Sequence, residues 1–351
     1  MSAFFSGVGV ILSLELRQRV RGVAWYVLLG VFVVLVAIVT LLLSVALNGS
    51  GMSADERGVG AGIYSAIIYF VLLLSSLVVP ALSGNAINGD RDAGTLATTQ
   101  ITLVTTWQLV LGKFLAAWIT ALAFLVASLP FIVYSALVGG LSPVTVLVSA
   151  VVLAVELGVV AAIGVGLSGI LTRSLFSIVL TYLVVATLSV GTLIAFGLGG
   201  ISVQTERTST HISGTEYNAD GFAIECGEPW VDTQNVPRFD LFWGVLVANP
   251  YVLLADAVPT TYNNGYPEDL FGYIKFGARS AQIAPQDSVY NECEQNAYYV
   301  SPTAEETINS TIPGWFVGIF IHLLLAGGAL YWAWARTDTP AGRLPKGSRV
   351  A

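Results

Sequence analysis

The stretch Phe114–Val155, FLAAWITALAFLVASLPFIVYSALVGGLSPVTVLVSAVVLAV, contains no charged side chain. A helix of about 20 residues crosses the hydrocarbon layer of a bilayer, so the run is too long for one span and long enough for two. It breaks at Gly139-Gly140-Leu141-Ser142-Pro143, a turn signal. It therefore reads as two spanning helices joined by a tight hairpin, the second continuing past Glu156 to about Leu171. Ionised side chains are costly in hydrocarbon, so the other charge-free runs locate the remaining spans. Together they predict spans near 23–47, 62–82, 114–138, 145–171, 175–199 and 312–336.

Composition agrees. The chain is 55% hydrophobic and 11% charged, too little charge to cover a soluble surface of this size. A net charge of −7 lacks the basic footprint of a nucleic-acid partner. Two cysteines, Cys226 and Cys293, are too few for a thiolate metal cluster, and no metal site is expected. The arginines at 17, 19 and 21 come just before the first apolar run, the reverse of a cleavable signal. Abundant Ala, Val and Gly with scarce Lys fit a GC-rich bacterium, hence its plasma (inner) membrane.

Six spans put both termini on one side. With the N-terminus inside, the inner segments hold 10 Lys and Arg and the outer ones 5, so the positive-inside rule makes both termini cytoplasmic. Residues 201–311 then form an extracellular insertion before the sixth span, and 337–351 a cytoplasmic tail. From Gly200 to Thr311 there are 15 acidic and 4 basic residues, with much Tyr, Asn, Pro and Thr, which reads as a small folded domain. Trp230, Tyr262, Tyr266, Tyr298 and Tyr299 are read as its core rather than as a lid or partner site. Cys226 and Cys293 both fall in it, and an oxidising exterior favours a disulfide over two buried thiols. Within it, Phe239–Val258 is nearly long enough to cross, but Pro250 after Asn249 breaks it. It reads as two short apolar helices dipping into or lying on the outer leaflet, with a seventh span as the lesser alternative.

Before the first span, residues 6–21 interleave Leu14 and Leu16 with Glu15, Arg17, Arg19 and Arg21. This suits an amphipathic helix on the membrane surface, although plain positive-inside anchoring explains the charges equally well. The inner segment Asn85–Lys113, NAINGDRDAGTLATTQITLVTTWQLVLGK, is polar and holds the cluster Asp90-Arg91-Asp92, then Gly94-Thr95-Leu96, and ends in Leu111-Gly112-Lys113. On these motifs the chain resembles the type-2 ABC exporter permeases. Their corresponding loop has an acidic-Arg-acidic cluster, a Gly-Thr-Leu, a short helix and a Leu-Gly-Lys entering the third span. Here Asp90 stands for the usual Glu, and Leu103-Val104-Thr105-Thr106 lacks the frequent proline.

The resemblance implies a permease subunit that pairs with a second copy or a similar permease and binds a separate ABC ATPase beneath it. Residues 90–92 and 94–96 would couple the loop to that ATPase, the alternative being a charged loop in the headgroup region. ATP and Mg would act through the partner, since no G-x-x-x-x-G-K-[ST] occurs in the chain. The chain itself is expected to bind no cofactor and to catalyse nothing.

Glu156 is the one acid deep in a span, and intramembrane acids are functional candidates. It is expected to line a transport path, to pair with His322 of the sixth span, or to make a structural hydrogen bond. An ion- or proton-coupled secondary transporter using Glu156 is the alternative function. Gly166-Leu167-Ser168-Gly169 with His322 also resembles a rhomboid-type intramembrane protease. Depth disfavours it: Ser168 and His322 differ by about 20 Å at 1.5 Å per residue, far beyond the reach of a base. The small residues there are read as a helix-packing patch. The expected fold is thus an all-α polytopic membrane protein with six transmembrane helices, an N-terminal surface helix and an extracellular insertion between spans five and six.

Overall fold

A computed structural model describes residues 2–49, 56–95, 104–217, 223–293 and 302–338. Leu96, Tyr298, Tyr299 and nearly all of the C-terminal tail lie outside the described residues. Among those described, six helices are long and apolar enough to cross a membrane, in agreement with the charge-free runs.

The chain begins with α1 (Ser2–Arg21), turns at Gly22, and continues as α2 (Val23–Gly49) and α3 (Glu56–Ser83). A one-turn helix α4 (Asn88–Asp92) follows. Then come α5 (Thr106–Val138) and α6 (Pro143–Ile170), joined by the glycine turn that the sequence marks. Thr105 and Gln108 form a capping box that starts α5. The third span therefore begins about two turns before the expected Phe114, with Lys113 inside the helix. Ser142 caps α6, with Pro143 in its first turn, where a missing N–H costs nothing. The fifth span, α7, runs through Ser174–Ser202 and holds a π turn at Thr187–Gly191.

α6 is the spine of the bundle. Of its apolar window 61% is buried within one copy of the chain, against 17% for α2 and 11% for α7, so the last two present bare apolar faces. α6 packs along α3, α5 and the last spanning helix, α12 (Trp315–Thr337). The α12 seam is made of small residues: Gly166 meets the backbone of Ala329, and Gly169 meets Ala333. Such contacts let helices approach closely where lipid supplies no hydrophobic drive between them. Gly60 of α3 likewise touches the backbone of Gly139 at the end of α5.

The insertion between α7 and α12 corrects the all-α expectation. Strands β1 (Gln204–Ile212), β4 (Trp230–Pro237) and β7 (Ser288–Asn291) form one sheet in the order β4-β1-β7, with β1–β7 parallel. A hairpin of β2 (Gly214–Tyr217) and β3 (Ala223–Cys226) and a short pair, β5 (Tyr262–Asn263) with β6 (Tyr266–Pro267), complete the strands. The signal was present: QTERTSTHI in β1 is rich in Thr and free of Gly and Pro. Cys226 and Cys293 form the expected disulfide. The expected aromatic core is not there, since Trp230 and Tyr266 are 53% and 60% exposed. Trp230 instead stacks on His211 across β1–β4, and Tyr290 stacks on the other side of the same imidazole.

Phe239–Val258 does not form a seventh span. After a 3-10 turn at Phe239–Leu241 come α8 (Trp243–Leu246) and α9 (Pro250–Ala257), with the break at Asn249. The pair turns in among the spans, and Leu253, Leu254 and Ala255 are buried against them. α10 (Leu270–Ser280) and α11 (Ala304–Ser310) pack outside it.

Candidate functional site

Two polar centres stand out in the bundle. The first lies at the end that holds α1 and the close of α12, where the Thr106 hydroxyl donates to Asp338 across 2.9 Å. Lys113 is 1% exposed and bridges Glu15 of α1 and Asp90 of α4, the latter at 2.7 Å. A buried ammonium is tolerable only when its charge is paired and its hydrogens are used. α1 is also pressed onto α5 directly. Gly7 lies under the side chain of Gln108 and Gly112 lies against Ile11, while Gln108 donates to the Phe4 carbonyl.

α4 is tied just as firmly elsewhere. The Ser168 hydroxyl of α6 accepts from the backbone N–H groups of Ile87 and Asn88, both at 3.0 Å. Arg91 donates to the Leu171 carbonyl at 2.8 Å, past the end of α6, and to Asn88 at 2.7 Å. Ser174, at the start of α7, donates to Asp92. Thus α4 continues from α3 and is bonded to α5, α6 and α7, and through Lys113 to α1. The exposed part of the segment is its tip, Asp92 to Thr95, where Gly94 takes a φ of +69°.

The second centre is the Glu156–His322 pair. Both residues are 1% exposed, and Nδ1 of His322 lies 2.9 and 3.0 Å from the two carboxyl oxygens. Nε2 lies 2.9 Å from the Ala248 carbonyl. A carbonyl only accepts, so Nε2 donates, and the junction between Nδ1 and Glu156 holds one further proton. His322 thereby pins the turn between α8 and α9. Next to it, Asn249 donates to the Ser189 carbonyl at 2.6 Å and to Thr192 at 2.8 Å, while its Oδ1 caps α9. Ser189 belongs to the π turn, and its carbonyl also accepts from the Thr192 hydroxyl at 3.3 Å. Glu156, His322, Ser189 and Tyr251 line a cavity of about 20 Å³, walled mostly by Leu, Val and Ile. That is room for a water molecule, not for an organic substrate in this conformation.

Around α10 a third group of buried charges holds the insertion in place. Asp256 pairs with Arg279 at 2.7 Å and accepts from the N–H groups of Gly314 and Trp315, which start α12. Arg279 also donates to the Thr311 carbonyl, and Lys275 donates to the Val258 carbonyl. Burial pulls the Lys275 ammonium down to about 8. Burial pushes the Asp269 carboxyl, which caps α10, up to about 6.

The sequence-selected residues thus divide between these centres. Asp90, Arg91, Asp92 and Glu15 meet at the first, Glu156 and His322 at the second. Arg19 reaches the Leu82 carbonyl, whereas Arg17 and Arg21 are exposed. Lys113 and Ser168 were read only as parts of motifs, and their bonds join residues far apart in sequence, which no local pattern reveals. Ser168 lies 12 residues beyond Glu156 on α6, about 18 Å at the rise of a helix, and is therefore held away from His322. Among the described residues no group of three or more His, Cys, Asp or Glu side chains is placed to hold a metal ion. No family model matches the chain, and no curated protein matches it.

Proposed function

We propose that the chain is the membrane-spanning permease subunit of an ABC transporter of the type-2 exporter kind, driven by a separate ATPase subunit. In this reading both termini are cytoplasmic, the insertion is extracellular, and the membrane is the plasma membrane of a bacterium. Two such halves, alike or similar, enclose the path. The observation that carries the reading is the bonding of α4. A short, exposed tip stands on an element joined to four spans and to α1, so a push on the tip reaches all of these together. A loose loop transmits no such motion. The motifs at 90–92 and 94–96 lie in that same segment.

A second reading, an ion- or proton-coupled secondary transporter, is favoured by the buried Glu156–His322 pair with its shared proton. The deciding experiment is affinity purification of the tagged chain from native membranes in mild detergent, followed by mass spectrometry and an ATPase assay. A protein carrying a G-x-x-x-x-G-K-[ST] motif is expected in equal amount, and it is lost when Asp90, Arg91 and Asp92 are together replaced by Ala. If no ATPase accompanies the chain at any detergent strength, the first reading fails. Transport that stops in Glu156→Gln while the fold is kept then supports the second.

A further inference from the structure

Ala248 sits where the broken helix pair leaves a carbonyl over. α8 ends at Leu246 and α9 starts at Pro250. The N–H groups of Tyr251 and Val252, which would otherwise turn back toward residue 248, both go to the Oδ1 of Asn249. The last carbonyls of a helix need partners from outside it. Nε2 of His322, 2.9 Å away, is the donor that the Ala248 carbonyl receives.

The Glu156–His322 pair holds two protons, one on Nε2 and one between Nδ1 and the carboxyl group. With one proton fewer, the two contacts cannot both be kept. If the remaining proton stays on Nε2, a bare Nδ1 faces a carboxylate across 2.9 Å. If it sits between Nδ1 and Glu156, it makes a charge-assisted bond, and a bare Nε2 faces the Ala248 carbonyl. Charge-assisted hydrogen bonds are roughly twice as strong as neutral ones, so the second arrangement prevails and the hold on Ala248 is lost. The departing proton passes to water, for which the cavity of about 20 Å³ beside both residues has room. Among the described residues, α3 and α7 turn only Leu, Val and Ser side chains to that cavity, and α9 turns Pro250 and Tyr251. Burial pushes the Tyr251 phenol above its ordinary 10, so it stays protonated. Asp256 and Arg279 are paired with each other, and Asp256 meets α12 at Gly314 and Trp315, about 11 Å before His322 at the rise of a helix.

What the Ala248 bond holds is a bridge. The rings of Phe239 and Phe242 lie over Gly200 and Gly199 at the outer end of α7, and the Val247 carbonyl lies against Gly318 of α12. Residues 239–248 thus join the outer half of α7 to the last span. α7 has little other support, being the least buried of the spans.

We infer that Glu156 and His322 form a proton-operated latch on the outer half of α7. With both protons the pair holds the bridge at Ala248, and loss of one proton as pH rises lets it go. The latch rests on the bonding of the pair, needs no proton to cross the membrane, and is independent of either transport reading. The test is hydrogen–deuterium exchange of the full chain in detergent from about pH 6 to about pH 10, read as protection relative to an unstructured chain at the same pH. Protection of residues 243–249 is expected to fall about tenfold across that range, the worth of one buried hydrogen bond, while α6 and the β1–β4 ribbon keep theirs. In Glu156→Gln the amide donates to Nδ1 and the proton stays on Nε2, so the segment is expected to remain protected throughout. His322→Ala is expected to leave it weakly protected at every pH. Unchanged protection of 243–249 in the unaltered protein across the range would overturn the latch. So would the same fall in Glu156→Gln.

Discussion

Lys275 is an ammonium kept mostly out of water by α10, and among the described residues its hydrogen-bond partner is the Val258 carbonyl. Its folded pKa of about 8 lies below the ordinary 10.5, so between those values the unfolded chain binds more protons than the folded one. Stability then rises with pH across that window, and the contribution is lost as pH falls through about 8. Thermal unfolding in detergent is expected to move upward between pH 8 and 10 relative to Lys275→Met, which lacks this titration. A flat difference between the two proteins across that range would show that the ammonium is better solvated than its burial implies. Lys113 is the contrasting case. It is only 1% exposed, yet two carboxylates flank it, and this difference in company separates a charge that opposes the fold from one that organises it.

At the scale of elements, the charge-free runs carried most of the architecture, because the bilayer enforces length and charge together. The Asn249–Pro250 break was legible for the same local reason: a proline cannot continue a helix, and an asparagine before it caps the next one. The π turn in α7 was not legible. One residue of extra register leaves no trace in composition. Asn249 serves both elements with one amide, and its two ends can be tested apart. Asn249→Ala removes the cap of α9 and the shorter of the two side-chain hydrogen bonds to the Ser189 carbonyl, leaving the longer one from Thr192, at an expected cost of about 2–4 kcal/mol. Asn249→Asp keeps the capping oxygen but turns a carboxylate toward that carbonyl, and is expected to unfold no later than the alanine variant. An aspartate variant that matches the unaltered protein in thermal unfolding would show that the cap alone matters. The strands of the insertion were missed because its mixed, acidic composition was read as a whole; β1 taken by itself carries a strand pattern.

The whole molecule combines a membrane bundle with a largely polar insertion, and different forces hold the two. The bundle relies on small-residue seams and satisfied polar groups. The insertion has few buried aromatics and leans on its disulfide, which closes a loop over 67 residues of sequence separation. Loop-closure entropy assigns that bond about 4 kcal/mol. Reduction, or Cys226→Ser with Cys293→Ser, is expected to open the insertion to limited proteolysis between residues 213 and 293 while leaving the six long helices protected. Cleavage within the bundle at the same rate would show that the two parts melt as one. The candidate sites were half visible at this scale. Charge clusters and the lone intramembrane acid pointed to residues that the fold brings into bonded centres. The bonds they make to Lys113, Ala248 and, through the backbone of α4, Ser168 are set by the tertiary fold and have no signature in the linear chain. The parallel pairing of β7 with β1 has a consequence for biogenesis. β7 cannot dock until α8, α9 and α10, all of which lie between the paired strands, have been synthesised. Loop closure over such a distance is slow, so the sheet closes late in synthesis, and the Cys226–Cys293 bond waits on the same stretch of chain.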